Sequence, residues 1–212
     1  MNTKHQVHNL IILDESGSMY SIQQTIIQGF NEMVQTAKGI EKKFPDQEHF
    51  ISLLSFNGLG LQLLHFMEPI ANLQQIDDTR YQPDASTPLY DALGFGLTKL
   101  KKELAGKTDY HVLVTILTDG EENDSKEYTG KAIKTMIEEL KNNHWTFTYI
   151  GTNHDVKKIA HSLSITNTLV FESNEADIKE MFTMEKDARH RYSQKIQLNE
   201  EIKENYYVDG KE

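Results

Sequence analysis

A chain of 212 residues suits one α/β domain with a sheet covered on both faces, and leaves little room for two full domains. Its hydrophobic fraction of 38% excludes a disordered chain, and the absence of cysteine excludes disulfides, zinc–thiolate sites and thiol nucleophiles. The formal charge of −10, with no block of Lys and Arg, argues against DNA or RNA, because phosphates are bound by basic clusters that release counterions.

The first apolar run, His8 to Leu13, is rich in Ile and Leu and stops at Asp14, the pattern of a strand buried on both faces. It ends too soon for a signal-peptide core or a membrane span, so we expect a cytoplasmic protein that makes no use of a membrane. From Met19 to Phe44 the residues Ile22, Ile26, Phe30, Met33, Val34 and Ala37 recur at helical steps, and Pro45 closes the stretch. His49 to Phe56 and Leu61 to Met67 are β-like runs joined by Asn57-Gly58-Leu59-Gly60, the composition of a tight antiparallel hairpin.

After a polar loop from Asn72 to Ser86, the stripe Leu89, Ala92, Leu93, Leu97 and Leu100 predicts a second helix. Tyr110 to Leu117 is an apolar strand ending at Thr118-Asp119-Gly120. Then follow a helix over Lys126 to Asn142, a strand over Thr146 to Ile150, a short helix near Val156 to Leu163 and a strand over Thr168 to Phe171. Strands alternating with helices predict a doubly wound, mostly parallel open α/β sheet with helices on both faces. The stretch from Glu175 to Glu204 reads as a helix that grows more polar. Its second half, with Lys186, Arg189, His190, Arg191 and Lys195, is expected to be a solvated face, the alternative being a partner contact. We therefore divide the chain into a core over residues 1–172 and a helical extension over 173–212 that packs on the same domain and ends in a polar tail.

In a doubly wound sheet, ligands sit beyond the carboxyl ends of the parallel strands, which places Asp14 and Asp119 at one rim. Ser16 and Ser18 follow Asp14 in a turn eased by Gly17. Pro88 suits a first helical turn and leaves Thr87 just before it, also at the rim. Two carboxylates and three hydroxyls, without sulfur or imidazole, suit Mg²⁺, with Mn²⁺ or Ca²⁺ as alternatives. Two carboxylates roughly cancel the ion's charge and hydroxyls add none, which leaves the cation able to accept an anionic oxygen from a partner.

Each motif has a plainer reading. Asp-x-Ser-x-Ser alone is often only a helix N-cap. Glu15, Glu121, Glu122 and Asp124 read as ordinary loop acids, with added ligation or selection of a basic partner as the alternative, and Asp91 reads as a surface or capping carboxylate. His5 and His8 do not make a convincing metal pair. Trp145 and Phe147 read as core, and Gly58-Leu59-Gly60 lacks the strand-to-helix setting of a phosphate loop.

The run Asp14-Glu15-Ser16-Gly17-Ser18-Met19 resembles the DxSxS motif of von Willebrand factor A domains. Ser86-Thr87-Pro88-Leu89 is similar to their threonine motif, and Thr118-Asp119-Gly120 to their aspartate motif. The three occur in the family's order, over roughly residues 7 to 172, and together resemble its metal-ion-dependent adhesion site (MIDAS). The resemblance implies that Ser16, Ser18 and Thr87 are hydroxyl ligands, Thr87 exchanging between direct and water-mediated contact, while Asp14 and Asp119 coordinate directly or through water. It implies a mainly parallel sheet with one short antiparallel edge strand, in agreement with the hairpin at Asn57-Gly58, and a protein-binding module rather than an enzyme, in which a partner's Asp or Glu completes the ion's shell.

With no second domain, anchor or leader read from the sequence, the chain is more similar to the standalone intracellular A domains of bacteria and their viruses than to extracellular adhesion domains. Residues 148–155 also resemble a segment of such proteins. Their usual partners imply an adaptor working with an AAA-type ATPase or a stress-response component. Two other functions stay open: a Mg²⁺-dependent phosphohydrolase, against which Ser16 stands where a second carboxylate is needed and no cationic clamp is evident, and a structural subunit whose cation only steadies the fold.

Overall fold

The computed structural model describes residues 4–152, 155–200, 202, 206 and 207. The strands are β1 (His5–Asp14), β2 (Gln47–Asn57), β3 (Gly60–Pro69), β4 (Tyr110–Thr118), β5 (Trp145–Gly151) and β6 (Asn167–Val170). The helices are α1 (Gln23–Lys43), α2 (Leu89–Glu103), α3 (Gly130–Lys141), α4 (Val156–Ser162) and α5 (Glu175–Leu198). The six strands lie in the order β3-β2-β1-β4-β5-β6. All neighbours pair in parallel except β2 and β3, which are antiparallel. The mostly parallel sheet with an antiparallel edge is the one expected, and the edge strand, broken by bulges, runs to 10 residues.

Period-two alternation sends the strand side chains to opposite faces. On one face Leu10, Ile12, Val114, Ile116 and Phe147 pack with Leu93 and Leu97 of α2, Ile133 and Ile137 of α3, and Ala160 of α4. On the other, Ile11, Leu13, Leu53 and Ile150 pack with Ile26, Phe30 and Val34 of α1 and Ile178 and Met181 of α5. Trp145 and Phe147 stack in the core as expected, with ring centroids 6.3 Å apart. α1 and α5 pack side by side closely enough that a Cβ on Gly29 would stand 1.9 Å from the Phe182 ring.

Three expectations need correction. The helix expected from Met19 begins as a 3₁₀ turn over Gly17–Ile22 and becomes α-helical only at Gln23. The helix expected from Lys126 starts at Gly130 with Thr129 as N-cap, because the Asp91 carboxylate instead accepts the backbone N–H groups of Lys126, Glu127 and Tyr128. Asp91, read as a surface or capping carboxylate, thus holds the loop before α3 and caps no helix.

The third concerns α5, which stops at Leu198 where Asn199 turns left-handed with φ 54°. Its second half is solvated only on one side, and Arg189 is not on that side. Glu185, Ala188, Arg189, Tyr192, Ser193 and Ile196 form an inward stripe at helical spacing, with Arg189 only 3% exposed. Arg189 Nε lies 2.9 Å from Glu185 Oε1 as an ion pair, without the alignment of a hydrogen bond. Its two Nη atoms donate to Asn9 Oδ1 (2.7 Å) and Thr115 Oγ1 (2.8 Å), while the Tyr206 and Tyr207 hydroxyls donate to Glu185. The buried charge is offset by its ion pair with Glu185 and by a hydrogen bond from each Nη atom. Lys186 is the outward member of the group. Asn153 and His154 of the 148–155 segment, and the polar tail beyond Tyr207, lie outside the described residues.

Candidate metal centre

The site is built where β1 and β4, adjacent and parallel, both stop. Leu13 stands opposite Leu117 in the register, so Asp14 and the Thr118-Asp119 pair leave the sheet at the same level. Asp14 is fully buried; one carboxylate oxygen accepts the Ser16 backbone N–H (2.8 Å) and the other the Thr118 hydroxyl (2.5 Å). Ser18 Oγ donates to Asp119 Oδ1 at 2.6 Å and stands 3.2 Å from Ser16 Oγ. Gly120 closes the cluster: a Cβ added there would lie 3.5 Å from Thr87 Oγ1 and 3.9 Å from Ser18 Oγ. Asp14, Ser16, Ser18, Thr87 and Asp119 are therefore brought together from three loops, with the exposed Ser18 at the opening.

Backbone bonds hold those loops to one another. Gly17 N donates to Ala85 O (3.0 Å) and Asp84 N to Glu15 O (2.9 Å), joining the serine turn to the loop before α2. Thr87 N donates to Asn123 Oδ1 (2.8 Å) and Asn123 N to Thr87 O (3.2 Å), joining that loop to the one after β4. The acids beside the site divide accordingly. Glu15 is buried and accepts the Gln82 N–H; Glu122 accepts N–H groups of Tyr90, Asp124 and Ser125; Asp124 accepts the Ser86 hydroxyl at 2.6 Å. These three serve as structural acceptors, and Glu121 is exposed.

Sequence reasoning missed Tyr81, whose hydroxyl donates to Asp14 O at 2.7 Å from a fully buried ring, and also Thr118 and Asn123. The one available signal was a single aromatic in the loop from Asn72 to Ser86. Burial raises the Asp14 carboxyl to about 6, offset in part by its bonds to Thr118 and Ser16. A nearby cation would favour its ionised form. The oxygen-only donor set and the buried carboxylate fit a hard divalent ion. His5 and His8 form no pair with each other: His5 meets His111 (2.8 Å), and His8 stacks on Phe50.

The chain belongs to the von Willebrand factor type A domain family, whose sequence profile matches residues 10–184. Domains of this family are commonly protein-interaction modules. No curated protein matches the sequence. Among solved structures the chain is similar to the SpRpn10 VWA domain, at 8% identity and a TM-score of 0.56, covering 84% of this chain and 94% of that one. It is similar to proximal thread matrix protein 1 from the mussel byssus with a zinc-occupied MIDAS motif, at 14% identity and a TM-score of 0.57, over 89% of this chain and 46% of that one. A third is the manganese-loaded TRAP protein of Plasmodium vivax, at 17% identity and a TM-score of 0.52, covering 84% and 73%. These likenesses define the fold, and the chain spans less than half of the byssus protein. No helix among the described residues is long and apolar enough to cross a membrane.

Proposed function

We propose that this domain binds one hard divalent cation through Ser16, Ser18 and Thr87, with Asp14 and Asp119 coordinating directly or through water, and uses it to capture a carboxylate of a partner protein. Mg²⁺ is the favoured ion, with Mn²⁺ and Ca²⁺ as alternatives. Zinc- and manganese-loaded neighbours of the same fold support a divalent ion. The observation that carries the proposal is the convergence of five side-chain oxygen groups from three loops on one partly open point. Two carboxylates leave a divalent ion near neutral, and an incoming Asp or Glu meets less repulsion there than at an acid-rich storage site.

The protein so described is an adaptor rather than a catalyst, cytoplasmic, with an AAA-type ATPase or a stress-response component as the partner class its family raises. Within it, residues 1–172 form the functional core and 173–212 a helical extension of the same unit. Affinity capture from the native cell, run in Mg²⁺ and in EDTA beside Asp14→Ala and Ser18→Ala proteins, tests the proposal. Ser18 is exposed, so its variant keeps the fold if Asp14→Ala does not. Partners lost on chelation and in both variants support it. Partners indifferent to both would make the cation structural and would end the adaptor reading.

A further inference from the structure

Among the described residues, Leu59 (77%) and Tyr20 (72%) are the most exposed large hydrophobic side chains, and both are close to the serine turn, Tyr20 through the chain and Leu59 through a depression it shares with Glu15. Scattered exposed apolar residues need no explanation, but two that flank one binding point do. Tyr20 lies on the 3₁₀ turn two residues after Ser18. Leu59 occupies the two-residue turn between β2 and β3, where small polar residues are the usual choice. The turn is fixed there: Leu59 N donates to Asn57 Oδ1 (2.9 Å), Asn57 Nδ2 to Glu15 O (3.3 Å), and a Cβ on Gly58 would strike Ser86 Oγ at 2.1 Å.

Between the two lies a trough made of two depressions that share a wall. A depression of about 400 Å³ bordered by Leu59, Leu61, Arg80 and Asp84 shares Thr79, Gln82 and Pro83 with one of about 490 Å³ bordered by Tyr20 and Asp78. Asp78 and Asp84 are exposed along it, with Arg80 the single cation among its bordering residues, on a chain whose formal charge is −10.

We propose that this trough selects the partner: it takes an extended protein segment in which the metal-seeking carboxylate is accompanied by a bulky apolar side chain, which lies against Tyr20 or Leu59, and by a Lys or Arg, which meets Asp78 and Asp84. The assignment rests on the carboxylate-capture function proposed above. An apolar anchor supplies affinity and the basic residue supplies selection, since a like-charged acidic segment is repelled by the same wall. A segment that is acidic throughout is thereby rejected even though the ion attracts it.

The test is a displayed library of random dodecapeptides panned against the intact protein in Mg²⁺ and in EDTA, repeated with the Tyr20→Ser/Leu59→Ser protein. Both substitutions are at exposed positions, and circular dichroism checks that the fold is kept. The wild-type protein should enrich, only in Mg²⁺, peptides with one Asp or Glu at a fixed offset from an aromatic or Leu and from a Lys or Arg. The double variant should retain the Mg²⁺-dependent acid, lose the apolar preference, and bind the wild-type consensus about tenfold more weakly, equivalent to about 1.4 kcal/mol. An acidic consensus with random flanks, or an unchanged consensus in the variant, overturns the trough and leaves the metal centre standing. Selections without an acidic consensus overturn the carboxylate capture itself, and the trough with it.

Discussion

Replacing Arg189 by Met removes one half of the ion pair buried under α5 and leaves the Glu185 carboxylate, itself 1% exposed, facing only the hydroxyls of Tyr206 (3.2 Å) and Tyr207 (2.9 Å). Breaking a buried pair from one side costs about 3–5 kcal/mol, because the remaining charge has neither partner nor water. Asn9 and Thr115 each also lose a guanidinium bond. Against a total stability of about 5–15 kcal/mol this is a large fraction.

With a urea m-value near 3 kcal/mol/M, the upper part of the usual range, the midpoint should fall by about 1–2 M, with m unchanged. The melting temperature should drop by about 6–20 °C for a domain of this size. The Glu185→Leu/Arg189→Met double variant removes both charges and should be more stable than Arg189→Met alone, as a double-mutant cycle measures. An Arg189→Met protein within about 0.5 kcal/mol of wild type, or singles that simply add in the double variant, would refute the account of α5.

Three further outcomes are expected. His8 and His49, both buried, have pKa values brought down to about 4 from 6.5, first by burial and then by neighbouring cations: Lys107 and His5 for His8, Arg189 and His5 for His49. They stay neutral in the folded chain while the unfolded chain takes up protons below 6.5, so stability is full above that pH and falls as the pH drops towards 4, by at most on the order of 3 kcal/mol per histidine; a urea series across that window that showed no decline would contradict it.

Gly29→Ala should lose about 1–3 kcal/mol through overpacking against Phe182, measured by thermal melting, and adding Phe182→Leu should restore part of it. Asp91→Ala orphans three backbone N–H groups and should lower stability by about 1–3 kcal/mol while leaving Mg²⁺ affinity in calorimetry unchanged; a lost affinity would show that Asp91 acts on the centre after all.

Much of the architecture was legible because its signals are local. The apolar runs of β1, β2, β4 and β5 and the stripes of α1 and α2 follow from period alone, and the side chains at Asp14, Ser16, Ser18, Thr87 and Asp119 follow from strand ends and motif order. What was hidden depends on pairs distant in sequence. Arg189 looks solvated until Glu185, Asn9 and Thr115 are seen around it, since hydropathy assigns a charge to the surface whatever its partner. Tyr81 belongs to Asp14 across 67 residues, and Asn123 to Thr87 across 36, and neither contact leaves a periodic trace. The start of α3 was misplaced for the same reason, because Asp91, on another helix, holds the backbone that looked helical.

The three rim loops are tied to one another by protein bonds: Gly17 to Ala85, Glu15 to Asp84, Thr87 to Asn123. These bonds hold the cradle's backbone together, and none of them uses a side-chain oxygen of Asp14, Ser16, Ser18, Thr87 or Asp119. Small metallo-domains are the opposite case, in which metal binding and folding are one event and chelation unravels the chain. Under the proposed function, a rim tied in this way would let occupancy follow ion concentration while the rest of the molecule stays put. Gain and loss of the proposed ion would then be a reversible message at the top of the sheet, carried at little risk to the fold beneath it.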